Sequence, residues 1–479
     1  MINILQAIED KNLFRPWFKD EATWTAWRSF LAALFGLDMG TKARQIYKEC
    51  TKRPTLPTKQ CSEAWLVIGR RGGKSFIASL VAVFLACFGD YSKYLAPGES
   101  AVIMLIAADR KQARVLMRYI SSLLNNVQLL KPLIAKETLE SIELTNNTIL
   151  EVHTCNFRTV RGYTVIACIA DEIAFWRMED SANPDIEILN AIRPAMSTIP
   201  GSLLLCLSSP YARKGALWEA YKNNFGKQSD DTLVWQAPTR VMNPSVPQRV
   251  IDKALEKDPA SAQAEYLAIF RADIESFVSR EAVEQVTIPG RIELPPVPGI
   301  RYKAFCDPSG GSVDSFTIAI SHSEGSRRVL DAIRESRPPF NPDSVVAEFA
   351  DLLRRYWLNT VTGDRYGGIW PESKFREHRI QYKVSEKAKS DLYRELLPLI
   401  NSGEVELLES KKLFTQLTSL ERRSMRSGKD SIDHPFGTRD DVANAVAGCL
   451  VGDTKKKIAG TWGTPATYAR ERAPRWGLI

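Results

Sequence analysis

Gly69-Arg70-Arg71-Gly72-Gly73-Lys74-Ser75 decides how the first half of this 479-residue chain is read. It follows the apolar run Ala64-Trp65-Leu66-Val67-Ile68 and precedes Phe76-Ile77-Ala78-Ser79-Leu80-Val81-Ala82. Strand, glycine loop, helix is the order that builds a phosphate cradle. Backbone N–H groups and a helix N-terminus face an anion, Lys74 adds a point charge, and the Ser75 hydroxyl can hold Mg²⁺. The spacing departs from G-x-x-x-x-G-K-[ST]: counting back from Gly73 puts Ile68 where the first glycine belongs, and Gly69 stands one place late. All seven residues from Gly69 to Ser75 (Gly69, Arg70, Arg71, Gly72, Gly73, Lys74, Ser75) are candidates for binding ATP with Mg²⁺.

Hydrolysis needs a carboxylate pair on a neighbouring strand. Thr164-Val165-Ile166-Ala167-Cys168-Ile169-Ala170-Asp171-Glu172 ends an apolar run in two acids. Asp171 is placed to hold Mg²⁺ through water, and Glu172 to orient and deprotonate the attacking water. The alternative for this pair is a strand that ends in a charged turn. Positive charge for the departing γ-phosphate has four candidates: Arg70, Arg71, Arg158 and Arg161. Arg161 precedes Gly162 and can reach a neighbouring subunit's site; each arginine also has a plain surface reading. Leu205-Cys206-Leu207-Ser208-Ser209-Pro210 suits either a γ-phosphate sensor or a strand cap before a proline turn. Trp17, Trp24 and Trp27 either shelter an adenine or belong to the core.

Around this motif, apolar runs at 101–106, 148–152, 165–169 and 203–207 alternate with helical patterns. That alternation predicts an α/β domain over 1–273 with a mainly parallel sheet covered on both faces, its first 60 residues forming adenine-side helices. Residues 274–299 carry Pro289, Gly290, Pro295, Pro296, Pro298 and Gly299 and are expected to be a linker. Residues 300–453 follow a different order of three close strands, helix, strand, helix, strand, helix. This is the order of an RNase H-like α/β domain with a mixed sheet. The tail 454–479 is basic, and is read as flexible, either solvated or in contact with nucleic acid.

Composition bounds the partners. Apolar content of 44% and charged content of 25% are ordinary for a globular protein. No apolar run reaches the roughly 20 residues of a membrane span, and the N-terminus lacks a cleavable-signal pattern, so an intracellular protein without a membrane partner is expected. Eight cysteines without a C-x-x-C pair and only four histidines argue against zinc. A net charge of +8 permits a polyanionic partner without demanding one.

The second domain supplies the acids. Asp307 ends a strand in Phe305-Cys306-Asp307-Pro308, Asp364 ends another in Thr362-Gly363-Asp364-Arg365, and Asp440-Asp441 open the last helix. An RNase H-like fold brings these places to one end of the sheet. Converging carboxylates repel unless cations separate them, so two Mg²⁺ or Mn²⁺ ions ~3.5–4 Å apart are expected to activate water and stabilise a phosphodiester's leaving oxygen. Asp441 is preferred to Asp440 as a ligand, because Asn444 three residues on shares its side of the helix; the choice stays open. Asp314 is a further candidate, and His434 either assists or is a plain loop histidine. Each aspartate alone also reads as a turn or cap acid.

Taken together these residues resemble the large subunit of phage terminase. Asp307-Pro308-Ser309-Gly310-Gly311 with Asp314-Ser315-Phe316-Thr317, Gly363-Asp364-Arg365-Tyr366-Gly367 with Trp370-Pro371, and Arg439-Asp440-Asp441-Val442-Ala443-Asn444-Ala445 look like that family's nuclease motifs. The late glycine and in-loop arginines look like its variant loop. The resemblance implies an ATP-driven motor that moves double-stranded DNA into a procapsid and cuts concatemers. It implies a ring of five on the portal protein, a small terminase subunit as partner, and the cytoplasm of an infected bacterial host as location. A ring would let Arg161 act in trans. A helicase-nuclease is the competing class, but it needs a second motor lobe where the acidic domain begins. A decayed prophage component would not need Lys74, Asp171, Glu172, Asp307 and Asp364 intact.

Overall fold

The computed structural model describes residues 2–154, 162–177, 181, 184–365, 369–424, 430–435 and 437–451. Two sheets dominate it. The first contains β1 (Glu63–Ile68), β2 (Ala101–Ala107), β3 (Ile134–Glu137), β4 (Ser141–Leu144), β5 (Thr148–Thr154), β6 (Thr164–Asp171), β7 (Leu203–Ser208) and β8 (Thr232–Ala237), in the order β3-β4-β5-β2-β6-β7-β1-β8. Six of these, from β5 to β8 in that order, run parallel. Only β3 and β4 at one edge are antiparallel.

The near-continuous apolar strands have the cause expected for a parallel sheet: both faces are covered. Side chains alternate along each strand. Leu66, Ile68, Ile103 and Leu205 point into a core shared with Phe30, Leu80 and Leu116 of the helices Glu21–Leu34, Lys74–Phe88 and Arg110–Asn126. Trp65, Val67, Met104 and Cys206 point the other way, onto Ile188 and Leu217 of the helices Pro184–Met196 and Gly215–Asn224.

The stretch 274–299, expected as a linker, is instead built into the second domain. It holds β9 (Ile274–Ser276), the helix Arg280–Val286 and β10 (Thr287–Ile288). Phe277, Val278, Val283 and Val286 are buried in the second domain's core. Farther on, the Leu294 amide donates to the Asp331 carbonyl at 2.8 Å. Proline and glycine exclude long regular elements, but they do not prevent a segment from packing closely over a neighbour.

The second sheet adds β11 (Tyr302–Asp307), β12 (Phe316–Glu324), β13 (Arg327–Ser336), β14 (Thr360–Gly363), β15 (Gln381–Val384) and β16 (Val405–Leu408), in the order β10-β16-β13-β12-β11-β14-β15. β11, β12 and β13 form an antiparallel meander, and β14 and β15 extend it in parallel. This is the mixed sheet expected of an RNase H-like fold. Phe305, Ala319 and Leu330 face the helices Lys389–Asn401 and Asp441–Val451, while Cys306, Ile318 and Ile320 face the helix Pro342–Arg355. A third, small sheet joins β18 (Ser431–Asp433), β17 (Glu421–Arg423) and β9. The basic tail lies outside the described residues.

Candidate functional site

The glycine loop leaves the C-terminal end of β1 and enters the helix Lys74–Phe88. Gly73 takes φ +95° and Arg71 φ +65° to make the turn. The loop is braced from outside. Trp27 Nε1 donates to the Gly72 carbonyl at 2.9 Å, Thr239 Oγ1 to the Arg70 carbonyl at 2.8 Å, and Asn243 Nδ2 to the Arg71 carbonyl at 2.8 Å. Trp27 is therefore a buried support of the loop, while Trp17 and Trp24 pack against the hydrophobic core. A Cβ on Gly69 would lie 2.3 Å from Thr239 Oγ1. Close approach to this neighbour explains why glycine stands at that place.

Lys74 is buried, with Nζ 3.0 Å from the Ile68 carbonyl, 3.2 Å from Ser209 Oγ and 3.5 Å from Glu172 Oε1. Ser75 Oγ donates to Asp171 Oδ2 at 3.0 Å. This hydroxyl–carboxylate pair is the oxygen donor set that Mg²⁺ uses, so the residues fit the ion. Burial first, and the neighbouring Glu172 charge second, push the Asp171 carboxyl up to about 7. Glu172 adopts φ +49°, and its Oε2 accepts from Ser208 Oγ at 3.0 Å and from the Ser209 amide at 3.2 Å. The Ser208-Ser209 end of β7 thus touches both Lys74 and the acid.

Of the four arginines, Arg70 is engaged with Glu265 at 3.3 Å, an ion pair that competes with a phosphate role. Arg71 lies exposed on the loop. Arg158 and Arg161 fall outside the described residues.

The second site sits at one end of the RNase H-like sheet. β11 and β14 are parallel neighbours with Cys306 opposite Gly363, so Asp307 and Asp364 leave the sheet side by side. The Asp441 carbonyl at the start of the last helix accepts from Thr317 Oγ1 at 2.7 Å, which fixes the helix on β12. Asp307, Asp314, Asp364, Asp440 and Asp441 line one cavity of about 620 Å³. Burial is the leading cause that raises Asp307 well above the usual carboxylate range, with the charges of Asp364, Asp441 and Asp440 adding to it. Burial likewise raises Asp364 and Asp441. Crowded, buried and half-buried carboxylates of this kind are a donor set that a divalent cation fits.

The two helix-start aspartates have different partners. Asp440 accepts from Tyr393 OH at 2.8 Å and faces Lys389 Nζ at 3.2 Å. Asp441 Oδ2 accepts only a backbone bond, from the Ser315 amide at 3.0 Å, among the described residues. Asp314 faces Arg439 at 3.6 Å. His434 Nδ1 lies 3.0 Å from the Pro435 carbonyl, and its ring stands beside Asp433 and Asp440. Those three residues could form a small metal-ligand set, but Lys389 Nζ sits 2.6 Å from Asp433 and already supplies positive charge there. Lys389 and Tyr393 were not legible as site residues, and Trp27, read as an adenine shelter or a core residue, instead braces the loop: each meets its partner from a distant part of the chain.

Comparison with known proteins gives one family model and several solved structures. The family model described as "Uncharacterized protein MJ0330, N-terminal P-loop domain" matches residues 38–268. No curated protein matches the chain. Among solved structures, the large terminase of bacteriophage HK97 is 15% identical, covering 89% of this chain and 99% of its own, at a TM-score of 0.40. The large terminase of a thermophilic bacteriophage in complex with ADP is 11% identical, covering 81% and 93%, at 0.37. The large terminase nuclease of thermophilic phage G20c with bound magnesium is 16% identical, covering 37% and 97%, at 0.33. The chain joins a P-loop α/β domain to a second α/β domain built on a mixed sheet; the solved structures it is similar to here are bacteriophage large terminases.

Proposed function

We propose that this chain is an ATP-driven DNA-packaging motor that carries its own metal-dependent endonuclease. One observation carries the reading: two clusters of residue types suited to phosphate chemistry stand in one chain. Lys74, Ser75, Asp171 and Glu172 meet within hydrogen-bonding reach at the glycine loop, and Asp307, Asp364 and Asp441 meet in one cavity of the second domain.

In the motor half, the loop amides and Lys74 bind the β- and γ-phosphates. Ser75 and Asp171 hold Mg²⁺, and Glu172 takes a proton from the attacking water. Ser208 Oγ and the Ser209 amide hold Glu172 in place for that task. Because Ser209 also touches Lys74, loss of the γ-phosphate is felt at the end of β7. An arginine from a neighbouring subunit, Arg161 being the candidate, adds charge to the transferring phosphoryl group.

In the nuclease half, Asp307, Asp364 and Asp441 hold two divalent cations. When bound, these supply an activated water and charge for the leaving oxygen of a phosphodiester. The substrate is double-stranded DNA. The partners are the portal protein, a small terminase subunit and further copies of this chain in a ring of five, in the cytoplasm of an infected bacterium. No described helix is long and apolar enough to cross a membrane.

The deciding experiment assays ATP hydrolysis and Mn²⁺-dependent plasmid cleavage of the full chain beside Lys74→Ala and Asp307→Ala. Lys74→Ala is expected to lose ATP turnover and keep cutting, and Asp307→Ala to do the reverse. Normal cutting by Asp307→Ala would refute the nuclease assignment. Absence of ATP turnover in the ring assembled on portal and DNA would refute the motor.

A further inference from the structure

Asn444 stands on the last helix one turn beyond Asp440 and Asp441, and is 1% exposed. Its Nδ2 donates to Asp364 Oδ2 at 2.6 Å and to Asp307 Oδ2 at 2.9 Å. Its Oδ1 is buried without a hydrogen-bond partner among the described residues. A buried acceptor left unpaired is costly, and Asn444 itself lines the cavity that Asp307, Asp364 and Asp441 share.

We propose that Asn444 is a further ligand of the nuclease cation site, contributing its carboxamide oxygen beside Asp307 and Asp364; this rests on the nuclease reading above. The amide already occupies the interval between the two carboxylates. A half-turn about its Cβ–Cγ bond exchanges Nδ2 for Oδ1 at the same place, because the two ends of a carboxamide have nearly the same shape. With a cation out, the N–H₂ group holds the carboxylates together against their repulsion. With a cation in, the oxygen joins them. Asparagine oxygen is an ordinary ligand for hard divalent cations. Being neutral, it adds a ligand without adding another negative charge to Asp307, Asp364, Asp440 and Asp441.

The test measures Mn²⁺ binding to the nucleotide-free full chain, by the loss of the free-ion electron paramagnetic resonance signal. It compares wild type, Asp307→Asn, Asn444→Leu and Asn444→Asp. The binding removed by Asp307→Asn defines the nuclease site. Asn444→Leu is expected to weaken that binding about tenfold or more. Asn444→Asp, which keeps an oxygen, is expected to bind at least as tightly as wild type and to gain at least as much melting temperature from Mn²⁺. Wild-type affinity in Asn444→Leu, or weakened binding in Asn444→Asp, overturns the assignment. If Asn444→Leu does not fold, Asn444→Asp decides alone. If Asp307→Asn removes no Mn²⁺ binding, the nuclease reading itself falls, whatever Asn444 does.

Discussion

Glu172 is bound on three sides: Lys74 Nζ at 3.5 Å, Ser208 Oγ at 3.0 Å and the Ser209 amide at 3.2 Å. The proton-accepting role proposed for it rests on charge, its position on these bonds. Glu172→Gln keeps the shape and removes the base. ATP turnover is expected to fall about 10²- to 10⁴-fold with nucleotide affinity little changed, as read by single-turnover hydrolysis beside equilibrium binding. Turnover near wild type would move the base elsewhere. At this scale the sequence was readable wherever function needs adjacent residues. Gly73-Lys74-Ser75 and Asp171-Glu172 each declare themselves within a few positions. Arg70 did not, because Glu265, the partner that engages it, lies far along the chain. Trp27 reaches the loop in the same way, across a fold rather than across a motif.

The last helix is the element on which the proposed nuclease site depends. It presents Asp441 and Asn444 to the strand ends, and it lies so close to β11 that a Cβ on Gly448 would stand 2.2 Å from Phe305 Cγ. Gly448→Ala is expected to push the helix off the sheet. The change should cost about 1–3 kcal/mol in a urea melt and reduce Mn²⁺-dependent cleavage, because Asp441 moves away from Asp307 and Asp364. Unchanged stability would mean that the helix shifts without cost. β14 shows the same close packing: a Cβ on Gly363 would meet the Cys306 carbonyl at 2.6 Å. The long strands and the helices with clear periodicity were legible, since burial on one or both faces writes itself into the spacing of apolar residues. β16, β17 and β18 were not. At three or four residues each they carry too few positions for a period, and they are strands only because β13 offers an edge to β16, β9 to β17, and β17 to β18.

Across the whole molecule the two domains meet at Glu421. This fully buried acid on β17 accepts from Tyr211 OH at 2.9 Å and pairs with Lys214 at 2.8 Å, both from the segment that follows Ser208-Ser209 in the first domain. The end of β7 therefore reaches from the glycine-loop site to the second domain within a few residues. Burial alone would raise the Glu421 carboxyl. The Lys214 charge and hydrogen bond, with Tyr211 and Arg423, outweigh it and hold the group below 4.5. The sign follows: the folded state binds the proton less tightly than the unfolded state. The group's stabilisation is therefore present in full above pH 4.5 and is lost as pH falls through the lowered folded value. Glu421→Gln leaves Lys214 without its counter-charge and is expected to cost about 3 kcal/mol at neutral pH. The gap between wild type and Glu421→Gln in urea midpoints should close as pH drops below 4.5. A gap that stays constant with pH would show that shape, not charge, holds this contact.

The sequence by itself determined what lies close along the chain. The phosphate loop, the acid pair at the end of β6, the alternation that makes a parallel sheet, and the succession of the acidic domain's longer strands and helices are all local patterns of burial and turn chemistry. Tertiary structure alone decided what meets across the chain. It turned the expected linker at 274–299 into β9, a helix and β10, because apolar Val283 and Val286 find a core to enter. It gave Asp440 to Lys389 and Tyr393 while leaving Asp441 beside a backbone amide. It also set Asn444 between Asp307 and Asp364. Such partnerships depend on which groups share a small volume, and a linear order of residues does not carry that information.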